Sequence, residues 1–474
     1  MTLSYKKLDW VIVALYILLV AFGWMNIYSS SFEEGQAFYD LHTKHGMHLV
    51  WIAITLSAAA AILFFVPPKI YPGLSLPFYC FICVLLVAVA FLGVEVNGSK
   101  SWFAFGPVRF QPAEFSKIST SLLVAFVLSK YDFNFKSRRN IVSAAAILLI
   151  PILFILMEKE TGSALVYLGF LLVYYREGMN GWILILGLLA ILFFIITLVT
   201  SPFTAMLALT GTAFLLYAFY GRRPALSILI GGVVVTLLAF LPNLLAVGFV
   251  SRIVPFDAPF IILILAALAA AVIAPATLKN NMPHLRAAVL CLVCGLCMIL
   301  SVQFVFDNVL KEHQRARIET LLGIKEDLMG VGYNVHQSMI AIGSGGLSGK
   351  GFLEGTQTRF DFVPEQSTDF IFCTVGEEWG FLGTMAVMIA YFALIVKLIV
   401  SADKHRSRFT RVYGYCVAAC FLMHVAINIS MTIGLMPVIG IPLPLLSYGG
   451  SSLLTFTLLL AIYLRLDLEQ WNNY

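Results

Sequence analysis

An all-α, polytopic integral membrane protein with about fourteen transmembrane helices is the fold this sequence predicts. Two observations predict it. Of 474 residues, 60% are hydrophobic and only 12% are charged, whereas a soluble domain carries about a quarter charged residues. Apolar runs of about twenty residues recur over the whole length, which is what an α-helix needs to cross a hydrocarbon core about 30 Å thick.

In chain order the runs lie at 10–29, 47–66, 77–95, 113–130, 140–157, 162–175, 181–199, 203–220, 226–247, 259–277, 286–306, 369–399, 412–434 and 451–468. The N-terminal "MTLSYKKLDW" enters the first run without a small-residue cleavage site, so it reads as a retained helix and not as a removed signal peptide. With a cytoplasmic N-terminus, the inside loops hold Lys6, Lys7, Lys69, Lys130, Lys136, Arg138, Arg139, Arg176, Arg222, Arg223, Lys279, Arg286, Lys404, Arg406, Arg408 and Arg411. The outside loops hold Lys44, Lys100, Arg109, Lys159 and Arg252. This is the positive-inside bias, and it also leaves the C-terminus in the cytoplasm.

The formal net charge of +5 is scattered among short loops, with no basic stripe interleaved with aromatics, so nucleic acid is not an expected partner. All eight cysteines lie in apolar runs, which argues against a disulfide framework. Cys291, Cys294 and Cys297 form C-x-x-C-x-x-C, but without polar companions they read as packing residues and not as a metal site. His42, His45 and His48 have loose helical spacing and no carboxylate or cysteine partner, so zinc is not expected there either.

Two loops stand apart, and both fall outside the cell. The longer covers 307–368 and ends in "EGTQTRFDFVPEQSTDFIF", from Glu354 to Phe372. Asp369 sits at the lip of the next apolar run. A carboxylate at the mouth of a low-dielectric cleft has its ionised form disfavoured, which raises its pKa toward that of a useful base. The plainer alternative is a first-turn helix residue, with Thr368 as the cap. The other loop is "GLMPVIGIPLPLLSYGGSS", from Gly434 to Ser452, whose four glycines and Pro437, Pro442 and Pro444 forbid a continuous helix. Non-helical backbone at membrane depth persists only where protein or a wet cavity satisfies its polar groups. No internal repeat is visible, and residues 1–474 read as one membrane domain.

Charged residues inside spans are functional candidates by default. Glu114 and Lys117 share a helix face in "QPAEFSK", either as a self-neutralising pair or as a cation offered to an anionic substrate. The preceding "NGSKSWFAFGPVRFQP" carries Lys100, Trp102 and Arg109, where the tryptophan is an interface aromatic or a platform for a lipid-linked sugar. Glu158, Lys159 and Glu160 form a tight turn, solvated in the simplest reading. Glu377 and Glu378 fall within an apolar stretch between Gly376 and Gly380, which predicts a broken helix lining a site.

The stretches "GSGGLSGKGFLEGTQTRFDFVPEQSTDFIF", "GPVRFQPAEFSK" and "GLMPVIGIPLPLLSYGGSS" resemble the signatures of the SEDS family of bacterial envelope proteins, its RodA branch more than its FtsW branch. The likeness covers the chain apart from about 200–300, where roughly four spans exceed the ten usual in the family. It implies a peptidoglycan glycosyltransferase of the bacterial cytoplasmic membrane, serving cell elongation and cell shape. Such an enzyme polymerises lipid II, an undecaprenyl-diphosphate disaccharide pentapeptide, at the outer face. Its implied partners are a class B penicillin-binding protein transpeptidase, other elongation-complex membrane proteins and membrane lipid. The family's essential aspartate falls on Asp369, and its Glu/Lys pair falls on Glu114 and Lys117. Three positions depart from the pattern: Ser367 where histidine is common, Glu160 where an aspartate precedes G-T, and Ser101 where arginine is frequent.

The implied reaction joins a sugar C4 hydroxyl to an anomeric carbon by a single inverting displacement. Asp369 is the expected base. Lys117, Arg109 and Lys100 are expected to meet the diphosphate, with a divalent cation (Mg or Mn) as a possible addition. The glycine-rich "GSGGLSGKGF" is expected to bring backbone N–H groups and Lys350 to the substrate. Gln357, Glu365, Trp102 and Glu160 are expected on its walls, with Ser447, Tyr448 and Ser451 lining the non-helical turn opposite. Two rival readings are a lipid II flippase and a non-catalytic scaffold of the elongation machinery.

Overall fold

A computed structural model describes residues 8–32, 37–96, 99–105, 108–199, 202–220, 228–237, scattered positions from 289 to 315, and 332–472. Seven of the described helices are long and apolar enough to cross a membrane. The chain divides into two compact units, Met1–Asn180 with Asp327–Tyr474, and Gly181–Glu326.

The first unit opens with α1 (Trp10–Ser30), α2 (Lys44–Phe65) and α3 (Ile70–Leu92). Local chemistry sets their starts. Asp9 caps α1 by accepting from Val11 N at 3.2 Å, and Thr43 caps α2 through Gly46 N. Helix α3 begins ahead of the expected 77 and carries Pro77 inside it. A three-stranded antiparallel sheet follows, β1 (Val94–Val96), β2 (Ser99–Phe105) and β3 (Val108–Phe110), in the order β1-β2-β3. The sequence reads this segment as an external turn-rich loop, but the aromatic and β-branched residues of "SKSWFAF" and "VRF" favour a pleated hairpin.

Pro112 at the first helical position starts α4 (Pro112–Leu128), and α5 (Arg138–Met157) follows. The expected span at 162–175 is two short helices, α6 (Thr161–Val166) and α7 (Gly169–Arg176). The second unit holds α8 (Trp182–Val199), α9 (Pro202–Tyr220) and an apolar stretch at Ile228–Leu237. Its core joins Phe193, Met206, Leu209 and Ile299 with Cys291, in keeping with a packing role for that cysteine. The expected spans at 226–247, 259–277 and 286–306, and the loop up to 331, lie largely outside the described residues.

The first unit resumes with α10 (Tyr333–Ser344) and the single turn α11 (Thr356–Arg359), so the described end of the long loop is itself partly helical. Three long helices complete it: α12 (Ile371–Asp403), α13 (Arg408–Thr432) and α14 (Gly450–Asn472). The expected break in α12 occurs at Gly380, whose φ of 64° and ψ of −160° no helix allows. The break is where the glycine-rich loop docks: Lys350 N and Gly351 N donate to the carbonyls of Glu377 and Glu378, and Phe381 N to that of Gly346. Helix α13 is buried along most of its length, whereas α2 is largely exposed, so the core lies around α13 and α14. Gly23 of α1 lies against the backbone of Leu445 and Leu446, where a Cβ would come within 2.7 Å of either residue.

Candidate active site

Asp369 lies in the turn just before α12. Helix α12 begins at Ile371 without a side-chain cap. Thr368 therefore does not cap it; its hydroxyl bonds to Glu365 Oε2 at 3.0 Å. The Glu365 carbonyl accepts from Thr368 N and Phe370 N, which closes the turn, and Glu365 itself takes a positive φ of 54°. The Asp369 carboxylate is half-buried and, among the described residues, accepts no hydrogen bond. Partial burial, helped by the Glu365 charge, raises its pKa from the ordinary carboxylate range to about 7.

The Gly434–Ser452 loop runs across from this turn, and helix α13 satisfies it. Asn428 Nδ2 donates to the carbonyls of Asp369 and Ile441, each at 2.7 Å. One turn earlier, His424 Nδ1 lies 3.3 Å from the Pro442 carbonyl. Tyr391 OH donates to the Pro444 carbonyl, and Leu443 N donates to Ser447 Oγ at 2.8 Å. Tyr448 N donates to the Ser367 carbonyl at 2.8 Å, tying the loop to the turn of the base. Gly440, at φ 75°, places its α-carbon against Asp369 Oδ2, so that a Cβ there would stand 3.3 Å from the oxygen. The non-helical segment expected from the prolines is thus real, and protein groups satisfy it as its depth requires.

Lys117 does not stand at an open wall. It is 0% exposed, pairs with Glu114 at 2.7 Å, and sits 2.8 Å from His424 Nε2 and 5.3 Å from the Phe456 ring centroid. Close by, Glu160 accepts from Gln111 Nε2 at 2.8 Å and from Ser163 Oγ. Burial pushes the Glu160 carboxyl up, with Ser163 and Gln111 opposing. The turn at 158–160 is not the solvated one expected. Glu158 is 1% exposed, neither of its carboxyl oxygens has a partner among the described residues, and burial beside Glu160 raises it to about 9.

Lys350 and Gln357 also differ from expectation. Glu377, fully buried in α12, accepts from Lys350 Nζ at 2.7 Å, Gln357 N at 2.8 Å and Thr358 N at 2.9 Å. The lysine charge is matched, and Glu377 caps α11 from outside. The N–H groups of Lys350 and Gly351 already have partners in α12, so these two amides are taken up by packing. At Gly349 a Cβ would come within 2.0 Å of the Glu378 carbonyl.

Lys100 and Arg109 are exposed on the hairpin, and Trp102 is half-buried there. Ser451, buried, donates to the Arg109 carbonyl at 3.2 Å, which links the hairpin to the proline loop. Among the described residues no group of three or more His, Cys, Asp or Glu side chains is placed to hold a metal ion. His424 and Asn428 escaped the sequence reading, because a lone histidine or asparagine in an apolar helix has no local signal of what it faces.

This architecture defines a polytopic helical membrane protein with a carboxylate held between a broken helix and a non-helical loop. The chain belongs to the cell cycle protein family of FtsW, RodA and SpoVE, whose sequence model matches residues 9–210 and 245–472. The unmatched stretch, 211–244, is narrower than the 200–300 expected. Among its relatives, the peptidoglycan glycosyltransferase MrdB of Escherichia coli K12 is 28% identical over 94% of this chain and 90% of its own. The peptidoglycan glycosyltransferase RodA of Treponema pallidum is 30% identical over 98% of both chains. The fold is shared with the rod shape determining protein RodA of Thermus thermophilus, at a TM-score of 0.52, 20% identity and 99% of both chains. It is also shared with a chain of a structure described as a peptidoglycan synthase complex coordinating polymerization and crosslinking, at a TM-score of 0.62, 22% identity and 98% of both chains.

Proposed function

We propose that this protein is a peptidoglycan glycosyltransferase that polymerises lipid II during cell elongation, with Asp369 as general base. The observation that carries the reading is the Asp369 carboxylate: half-buried, without a hydrogen bond among the described residues, and raised to about 7. A base poised near neutrality is what removal of a sugar hydroxyl proton requires. The relatives' names, at 28% and 30% identity over nearly the whole chain, support the same activity.

In the step proposed, the acceptor C4 oxygen attacks the donor's anomeric carbon while its proton passes to Asp369. The bond from that carbon to the lipid diphosphate breaks, and inversion turns an α-linked donor into a β-linked product. Arg109 and Lys100, exposed on the hairpin, are the cations for the departing diphosphate. Lys117 holds its surroundings together from within. The described residues offer no cage that would fit a resident divalent ion, and no step is assigned to one.

The membrane is the bacterial cytoplasmic membrane, with both termini in the cytoplasm and Asp369 opening on the outer side. That orientation rests on the loop charge bias. The partner is a class B penicillin-binding protein, supported by the likeness to a synthase-complex chain.

The test is polymerisation of purified lipid II by purified protein with its synthase partner, the transpeptidase inhibited, and glycan length as readout. Wild type should make polymer and Asp369→Asn none, with normal membrane insertion. Polymer from Asp369→Asn would remove the residue from the mechanism. Lipid transfer without polymer would favour the flippase reading, and neither activity would favour the scaffold.

A further inference from the structure

We infer that Lys44 is a substrate-binding residue that holds the diphosphate of the lipid-linked sugar beside Asp369; this rests on the glycosyltransferase reading. Lys44 is the first residue of α2, and its Nζ donates to Ser367 Oγ at 3.2 Å. Ser367 is 1% exposed and fixed by the bond from Tyr448 N to its carbonyl. Only Thr368 separates it from Asp369, and a backbone step of two residues spans at most about 7 Å. The ammonium is therefore carried to the turn of the base by a helix distant in sequence.

Nothing in the helix itself calls for a lysine there. A cation in the first turn faces the positive end of the helix dipole, the unfavourable arrangement. Thr43 already caps α2, and Asp40 Oδ1 accepts from His42 N.

Among the described residues the charge is also unmatched. Among the described residues, Lys117 is paired with Glu114, Lys350 with Glu377, Lys397 with Asp9, Arg176 with Asp403, and both Arg408 and Arg411 with Glu177. Lys44 has no carboxylate within ion-pair distance among them; its recorded partner is a neutral hydroxyl. An ammonium has three donors, and Ser367 takes one. The side chain is exposed, so the other two are open to solvent beside the turn of the base. An anionic oxygen from a diphosphate is the chemistry that completes this arrangement.

The test measures binding of lipid II in the Asp369→Asn background, where no turnover intervenes. Adding Lys44→Met should weaken binding about tenfold, the scale of one charge-assisted hydrogen bond, and Lys44→Arg should recover most of it. In the otherwise wild-type enzyme, Lys44→Met should raise KM far more than it lowers kcat. Lipid II without its stem peptide should show the same penalty, because its diphosphate remains. Unchanged binding in Lys44→Met, or a penalty that vanishes with the peptide-free substrate, would overturn the assignment; the second result would place a peptide carboxylate there. An inactive wild type that nevertheless loses lipid II binding in Lys44→Met would sink the catalytic reading and leave a lipid II-binding cation.

Discussion

Asn428 Nδ2 bonds the carbonyls of Asp369 and Ile441 at 2.7 Å each, so one amide near the C-terminal end of α13 fixes the separation between the base and the proline loop. The side chain is fully buried, and its own oxygen has no partner among the described residues. Replacing it with leucine leaves two carbonyls unpaired, at about 1–3 kcal/mol each. Asn428→Leu should cut polymerisation by about 10²-fold, as a misplacement of about 1 Å does, while lipid II binding stays within a few-fold. Steady-state kinetics beside a binding isotherm checks the split.

The pH profile follows from the sign of the shift on Asp369. A base must be ionised to accept a proton, and its pKa stands near 7, so activity should rise with pH through about 7 and level off above. Glu365 adds a like charge that favours the protonated form. Glu365→Gln should therefore move the acidic limb to lower pH. The move is partial, because burial is the larger cause. A limb that stays in place in the variant would separate the two carboxyls.

Lys117 and Glu114 form a buried pair, and breaking one side strands the other charge. Lys117→Met should cost about 3–5 kcal/mol of stability, and Glu114→Gln with Lys117→Met should recover much of it. Thermal unfolding of the detergent-solubilised variants measures both. A Lys117→Met protein as stable as wild type but weaker in lipid II binding would restore the phosphate-clamp role expected from sequence.

The break at Gly380 combines a positive φ with a close approach: a Cβ would stand 2.2 Å from Gly349 N. Gly380→Ala should undo the docking of the 345–351 loop and, through Glu377, the support of α11. Faster hydrogen exchange at Lys350, Gly351 and Phe381, whose amides bond across the break, is the expected signature.

Much of this was legible in sequence, for physical reasons. Asp369 stood out because a carboxylate at the edge of an apolar run is costly, and the break at Gly380 because glycines flanked two buried glutamates. The prolines after Gly434 announced a non-helical loop. Lys350 and Gln357 were misread, since their partner Glu377 lies twenty or more residues on and nothing local points to it. The sequence offers Glu114 and Lys117 as a self-neutralising pair, which they form; it does not show the enclosure of Lys117, which depends on His424 and Phe456, far along the chain. The hairpin at 94–110 was missed because its strands are short and closely followed by glycine and proline.

Helix α1 carries none of the three signature stretches, yet Ser29 bonds to Glu378, the Ser30 carbonyl accepts from Gln366 Nε2 at 3.0 Å, and Gly23 abuts Leu445 and Leu446. The opening segment of the polypeptide is thus mortised into both halves of the chemistry. An unrelated membrane anchor spliced in its place would hold the protein in the bilayer and still leave it inert.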